Sequence, residues 1–508
     1  MTAREHAEAL VAALRACVAE GPNGRAAQAR FEEAAGQVAA RLLPAVDLAL
    51  REKLSSYRES EFASRDLPEL ARFMHAPGGW AAAAVAASHR DGYVREAAVW
   101  ALAAARDGRA VPYVLLRLND WVKQIRDAAR AVIEVFFQPQ FAADVIAALP
   151  VAWALARRGR DDHERFISRM LAFLRSPACA PALRAGGASP DREVRRNCLE
   201  LLLRRGGGAE DEAPQVLGGA LADRDPMIRV WAARRLARAV PAPWAEALAR
   251  RALGDRSVQV RRAALAALAP VLPDGDARPL LEAALLDANT TARWQARVLM
   301  LARGPFDLAA YYRRVLSTAA ERAAIRGALL GLGESGTVAD VAVVVPFLSA
   351  DRARVSGAAL RARAGLEPFS VTEPYLLTLR SPERSLSREA RRALEPRLSF
   401  VPIAALREIV VDLALPPHAR RNALLLAGGK SKWERLPALL DACADPDEVN
   451  AKLALLLVDG WNAGYNRSFV PPTRAQIDEA ATAFARVSRR LGPRASVEIA
   501  HVLRALAR

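Results

Sequence analysis

Cysteine is scarce in this chain of 508 residues: Cys17, Cys179, Cys198 and Cys443 stand alone, with no C-x-x-C pair. Their scatter argues against a disulfide framework or a zinc finger and fits buried thiols in a reducing cytoplasm. Histidine is nearly as rare. His6, His75, His89, His163, His418 and His501 lie far apart, and no two have metal-ligand spacing. Most are expected at the surface or at helix ends, with His89 in a cap slot. No G-x-S-x-G or H-E-x-x-H occurs. Acidic pairs such as Glu32–Glu33 and Asp161–Asp162 read as solvated helix ends. These absences disfavour an enzyme, while an active site assembled from distant segments stays an open alternative.

Long apolar runs are missing too. The longest, "VIAALPVAWALA" at 145–156, is too short to span a bilayer and contains Pro150. The opening "MTAREHAEAL" has no basic-then-apolar signal pattern. A soluble, cytoplasmic protein without a membrane or small-molecule cofactor is expected. Aromatic residues make up only 6% of the chain, and lysine stands only at Lys53, Lys123, Lys430, Lys432 and Lys452. What remains is alanine, leucine and arginine. Half the residues are apolar, which excludes wholesale disorder, and few are β-branched, which favours helix throughout. The net charge of +17 rests on arginine. Arginine over lysine fits a GC-rich genome, but an excess of base over acid points to an acidic partner.

One stretch suggests otherwise. "GLGESG" at 331–336 spells G-x-G-x-x-G, with Asp351 twenty positions after its first glycine, the written form of a dinucleotide loop. Such a loop follows a buried strand and opens a helix. Here "AERAAIRGALL" precedes it, and that is a helical pattern. The glycines are expected to close a helix, with Gly336 relieving a left-handed C-cap and Gly108, Gly206 and Gly428 placed comparably.

The strongest pattern is a repeat. "DWVKQIRDAARAVI" (120–133), "SPDREVRRNCLELL" (189–202), "DRDPMIRVWAARRL" (223–236), "DRSVQVRRAALAAL" (255–268) and "DANTTARWQARVLM" (287–300) share one register. Each opens with Asp or Ser and reaches an arginine six residues later. An apolar residue precedes that arginine, and apolar or small residues follow it at three, six and seven, Arg235 excepted. At about 100° per residue these offsets form one buried stripe. The openers, Asp120, Ser189, Asp223, Asp255 and Asp287, are expected to be N-caps. Extending the register gives Arg95, Arg126, Ser168, Arg195, Arg229, Arg261, Arg293, Arg326, Ser356, Ser387, Arg420 and Asn450. Spacings are 27–34 residues except for one of 42, an insertion around "FFQPQFAADVIAALP". A second helical segment lies between consecutive positions. The expected fold is all-α: an α-solenoid of about twelve stacked antiparallel helix pairs. The array covers 76–460, between an N-terminal helical cap at 1–75, with a degenerate unit around Arg51, and a C-terminal helical cap at 461–508, where Thr473 opens a helix.

The D-x5-R spacing with its V-R-x-x-A-x-x-A-L stripe resembles the HEAT family. The match is to the short, bacterial-type repeats first associated with phycobilisome lyases, over about residues 80–460. Ser168, Ser356, Ser387 and Asn450 depart from the arginine. The resemblance implies an extended binding surface on the inner curve of the second helices. It also brings two enzymatic alternatives, a bilin lyase role and an alkylpurine DNA glycosylase role. No cysteine-rich pigment context supports the first, and no clustered aromatic and acidic pocket can be placed for the second.

Two sets of arginines follow from the register. Arg95, Arg126, Arg195, Arg229, Arg261 and Arg293 form a structural ladder with Asp120, Asp223, Asp255 and Asp287, expected to tie neighbouring units. The residue after the ladder, about 100° further round, is Arg169, Arg196, Arg262, Arg388 or Arg421. Arg234, Arg361 and Arg392 share that face four residues on. Together they make a candidate basic lane along the concave side. Trp100 and Trp294 are candidate anchors, while most tryptophans, at irregular offsets, are expected in the core. The expected function is a non-catalytic scaffold for an extended, acidic protein partner, with nucleic acid as the alternative.

Overall fold

The computed structural model describes residues 1–21, 24–54, 67–157, 162–204, 212–349 and 353–507, and among them regular structure is helical throughout, with no strand. Asp161, Gly206 and Asp351, singled out above, lie outside the described residues. All twelve register positions fall inside helices.

The packing divides into two compact units, Met1–Val271 and Leu272–Arg508. In the first, Ala3–Glu20 packs on Arg25–Gly36 and on Leu43–Leu54. Helix pairs then follow: Trp80–Ala86 with Gly92–Ala105, Val111–Arg117 with Lys123–Ile133, Ala180–Gly186 with Arg192–Leu203, Glu212–Ala220 with Pro226–Ala233, and Ala242–Leu253 with Val258–Leu268. The insertion folds as two short helices, Ala142–Ala147 and Leu149–Leu155, ahead of Glu164–Leu174. In the second unit the pairs include Asp274–Leu285 with Thr290–Leu301, Leu308–Thr318 with Arg322–Ser335, Glu373–Leu379 with Arg384–Leu394, and Ile403–Val411 with Pro417–Gly428. Lys432–Ala442 pairs with Glu448–Ala463, and Arg474–Val487 with Pro493–Ala507, so the stacking runs on past residue 460. Second helices pack side by side, for example Arg322–Ser335, Ala353–Leu366 and Arg384–Leu394 in succession. Each unit is thus an α-solenoid of stacked helix pairs.

The stripe is what holds a pair together. Around Arg195, Val194, Cys198, Leu201 and Leu202 are buried; around Arg126, Ile125, Ala129, Val132 and Ile133 are. Burying each large apolar side chain contributes roughly 1.5–3 kcal/mol, so the three in each of these sets outweigh the weak intrinsic stability of an eleven- or twelve-residue helix.

The helix starts differ from expectation by two residues. The caps are Asp91, Asp191, Asp225, Asn289 and Asp447, whose side chains accept from amides in the first turn. The openers sit further upstream. Asp120, Asp223, Asp255 and Asp287 accept instead from the amides of Val122, Asp225, Ser257 and Asn289, the cap residues themselves, at 2.7–3.1 Å. At Asp223 with Asp225 and at Asp287 with Asn289 two side-chain-closed turns in tandem lead into the helix, and both favour the same residue types, whereas the caps Val122 and Ser257 make no side-chain bond of their own. His89 does the same for Asp91 through Nδ1, at 3.0 Å.

The glycine motif is also corrected. Gly331 and Gly333 lie inside the helix Arg322–Ser335, and Gly336 ends it with φ −86°, which is not left-handed. The glycines serve close packing. A Cβ at Gly327 would stand 2.1 Å from the Leu286 carbonyl oxygen, one at Gly331 2.2 Å from the Tyr312 ring, and one at Gly333 2.5 Å from the Ala362 Cα. Gly108 begins a 3-10 turn after a C-cap at Arg106, and Gly428 is a last helical residue, so neither closes a helix in the left-handed form.

Candidate functional site

The ladder arginines are buried charges, and their partners explain how. Arg229 Nε and Nη2 donate to both carboxylate oxygens of Asp255, at 2.7 and 3.0 Å, in the next pair. Its Nη1 donates to the carbonyls of Asp223 and Arg224, in the turn before its own helix, at 2.9 and 3.3 Å. Arg95 makes the same fork to Asp120, Arg195 to Asp223 and Arg420 to Asp445. One planar guanidinium thus closes its own turn and holds the next, a geometry lysine could not supply. Arg126 and Arg261 likewise donate to their own turns, at the carbonyls of Asp120 and Asp255. The repeats are HEAT-like.

Electrostatics follow from these forks. Burial alone would raise the carboxyl of Asp255, but Arg229 and the Ser257 amide outweigh it and hold it below the usual range. Asp120 and Asp445 are held low in the same way by Arg95 and Arg420. Asp120 also receives Arg51 and Arg117, and Asp47 pairs with Arg117 and Arg51, so a buried charge network anchors the N-terminal helices to the ladder. Arg51 and Arg95 flank the Trp121 ring at 4.5 and 4.4 Å. Arg293 departs from the rule. Its acceptor is Glu334, inside the tempting glycine motif, which Arg297 also reaches at 3.0 Å.

The proposed lane divides once partners are assigned. Arg169 pairs with Glu134, while Arg361 and Arg392 share Glu389. Arg421 is a structural residue: it donates to Asn450 and Asp447 of the next pair, beside the Arg420–Asp445 fork. Arg262 is half-buried. Arg196, Arg234 and Arg388 are exposed and have no acceptor among the described residues. Trp100 and Trp294 are 50% and 57% exposed, as are Trp121 and Trp244 at 53% and 50%. Four tryptophans, Trp80, Trp231, Trp433 and Trp461, are buried, fewer than the expected majority of the nine.

Arg196 opens into a groove of about 880 Å³ in the first unit. Its walls come from Leu149–Leu155, Glu164–Leu174, Arg192–Leu203 and Pro226–Ala233, the last three being successive second helices. Among the described residues, Arg157, Arg175, Arg196, Arg204 and Arg235 line it, against Glu193 and Glu200. Glu200 is already engaged. It accepts from Arg204, Arg235 and the Trp231 indole, and these overcome its burial to keep the carboxyl low. Arg235 lies over the Trp231 ring at 4.5 Å, which accounts for the one break in the stripe pattern. The Trp153 indole N–H, in the same wall, is buried with no acceptor among the described residues. Sequence periodicity missed this wall, because Trp153 belongs to the insertion.

The four cysteines are buried free thiols, and burial pushes Cys198 and Cys443 up to about 12. Among the described residues no group of His, Cys, Asp and Glu is placed to hold a metal, and no helix is long and apolar enough to cross a membrane.

No family model and no curated protein matches the chain. Among solved structures it is similar to a chain from a study of Kap95p binding to RanGDP, at 11% identity over 100% of this chain and 67% of that one, with a TM-score of 0.38. Importin beta shares 14% over 92% and 65%, at 0.33, and the UNC-45 chaperone 14% over 97% and 67%, at 0.21. This chain spans about two thirds of the length of each. Similarity at this level carries nothing about partner or activity.

Proposed function

We propose that the protein is a non-catalytic HEAT-like scaffold that holds an extended, acidic segment of a protein partner against its second helices. The observation that carries this reading is the first-unit groove, where Arg196 has no acceptor among the described residues and stands beside a wall of arginine. A carboxylate-rich segment would supply the acceptor that Arg196 lacks. Trp153 and Trp231 would give an apolar residue of that segment something to rest on. Arg234 and Trp100 extend the same type of surface in the first unit, and Trp294 and Arg388 present it in the second. The helix pair 474–507 then acts as a cap, and the buried thiols fit a cytoplasmic setting.

Calorimetry of the full chain with a glutamate-rich peptide tests this. The wild type should bind. Arg196→Glu should weaken binding at least roughly tenfold, because one attractive charge becomes repulsive in a shielded groove, while leaving thermal unfolding unchanged. Equal binding by Arg196→Glu, or tighter binding of duplex DNA with affinity falling steeply as salt rises, would remove the acidic-protein reading.

A further inference from the structure

A second basic site stands in the second unit, where the ladder changes character. The register positions there are Arg326, Ser356 and Ser387. Ser387 donates to the Leu379 carbonyl inside the structure. Unlike Arg95, Arg195, Arg229, Arg293 and Arg420, Arg326 makes no fork, and it has no acceptor among the described residues. It lines a small cavity of about 160 Å³ instead. Arg354 and Arg361 enter it from Ala353–Leu366, and Ser385 and Arg388 from Arg384–Leu394. Gly357 and Ala358 leave the middle helix without bulk at this face.

Charge is unbalanced at this spot. Among the described residues the one carboxylate lining the cavity is Glu389, and it is shared by Arg361 at 2.8 Å and Arg392 at 2.9 Å. Arg326, Arg354 and Arg388 therefore converge with no described acceptor. Arg326 is half-buried and Arg354 and Arg388 are exposed, so three guanidiniums from three helices with no acceptor among the described residues border one cavity, and an anion placed there would draw on all three. The first turns of the two later helices, at Ala353, Arg354 and Ser385, also line the cavity, and helix N-termini favour negative charge. The volume sets the size of that anion. At about 30 Å³ per water it has room for about five waters, enough to admit a phosphate group.

We infer that Arg326, Arg354 and Arg388 form a site for a phosphomonoester dianion, with the Ser385 hydroxyl as a fourth donor. Planar guanidiniums match tetrahedral oxyanions with paired N–H donors, which favours a compact dianion over a single carboxylate. The dianion can be a phosphorylated side chain of the protein partner or a free phosphate. This site is independent of the first-unit groove and stands or falls without it.

The test is calorimetry on the full chain with four probes: inorganic phosphate, a peptide containing O-phosphoserine, the same peptide unphosphorylated, and duplex DNA. Arg388 and Arg326 make no described ion pair, so Arg388→Gln and Arg326→Gln should fold normally, checked by circular dichroism and thermal unfolding. Phosphate should bind the wild type, and each variant should weaken it roughly tenfold or more. Arg196→Gln, in the first unit, should leave it unchanged. If the phosphopeptide binds more tightly than phosphate, the source is a modified partner; if it binds no more tightly, the source is a free phosphate, and the site stands in both cases. Absence of phosphate binding, equal binding by Arg388→Gln and Arg326→Gln, or a preference for duplex DNA lost in the same variants would overturn the assignment.

Discussion

Replacing Asp255 with alanine should loosen one joint of the array and leave the rest intact. The carboxylate does three jobs. It receives Arg229 Nε at 2.7 Å and Nη2 at 3.0 Å, and it closes the turn through the Ser257 amide at 2.7 Å. The Arg229 and Asp255 side chains are only 6% and 13% exposed, so truncation leaves a nearly buried guanidinium with its inter-pair acceptor gone. Breaking a fully buried pair costs about 3–5 kcal/mol, and an exposed pair less than about 1 kcal/mol. This pair keeps some access to water and Arg229 keeps its two carbonyls, so the expected loss is about 2–4 kcal/mol. Asp255→Asn preserves an acceptor for the Ser257 amide and one neutral acceptor for Arg229, and should lose about half as much.

A stacked array does not unfold as one two-state body, so a single midpoint would blur this effect. Native-state hydrogen exchange resolves it. Amides of Pro226–Ala233 and Val258–Leu268 should lose protection by the stated amount, while those of Ala3–Glu20 keep theirs. A loss below about 0.5 kcal/mol, as for an ordinary surface substitution, would refute the ladder's role. A loss spread evenly over the whole chain would refute the stacked architecture.

Two further outcomes follow from the structure. Gly333→Ala should destabilise by about 1–3 kcal/mol in thermal unfolding, even though alanine favours helix by about 1 kcal/mol, because its Cβ would meet the Ala362 backbone at 2.5 Å and force two helices apart; stabilisation would contradict the close-packing role. Acid should destabilise the array: Asp120, Asp255 and Asp445 have lowered folded-state values, so the unfolded chain binds their protons first, and stability present above about pH 4 is lost progressively as pH falls towards those values. Urea titrations across that range should show a shallower acid limb for Asp255→Asn with Asp445→Asn than for the wild type.

The period, the stripe and the buried arginines were legible in the sequence because they recur with one spacing. The placement of the caps was not. Tandem turns use Asp, Ser and Asn at both positions, so residue type alone could not say whether Asp255 or Ser257 starts the helix. Glycine was misread for a similar reason, since a C-cap and a close crossing ask for the same residue, and only the Leu286 carbonyl and Ala362 backbone distinguish them. Glu334 escaped notice because it stands 41 residues from Arg293, whereas the forks to Asp120, Asp223 and Asp255 span 25–28. The residue types of the lane were visible, but whether an arginine meets a carboxylate, as Arg421 does, or an open groove, as Arg196 does, depends on neighbours from other repeats.

Arginine-selective modification of the full chain with phenylglyoxal, read residue by residue by mass spectrometry with and without a glutamate-rich peptide, tests the scaffold most directly. Arg195 and Arg229 should stay unreactive in both states, held in their forks. Arg196 should react freely alone and become protected when the peptide is present. An Arg196 that reacts equally in both states, or that is protected by duplex DNA and not by the peptide, would contradict the proposed acidic protein partner.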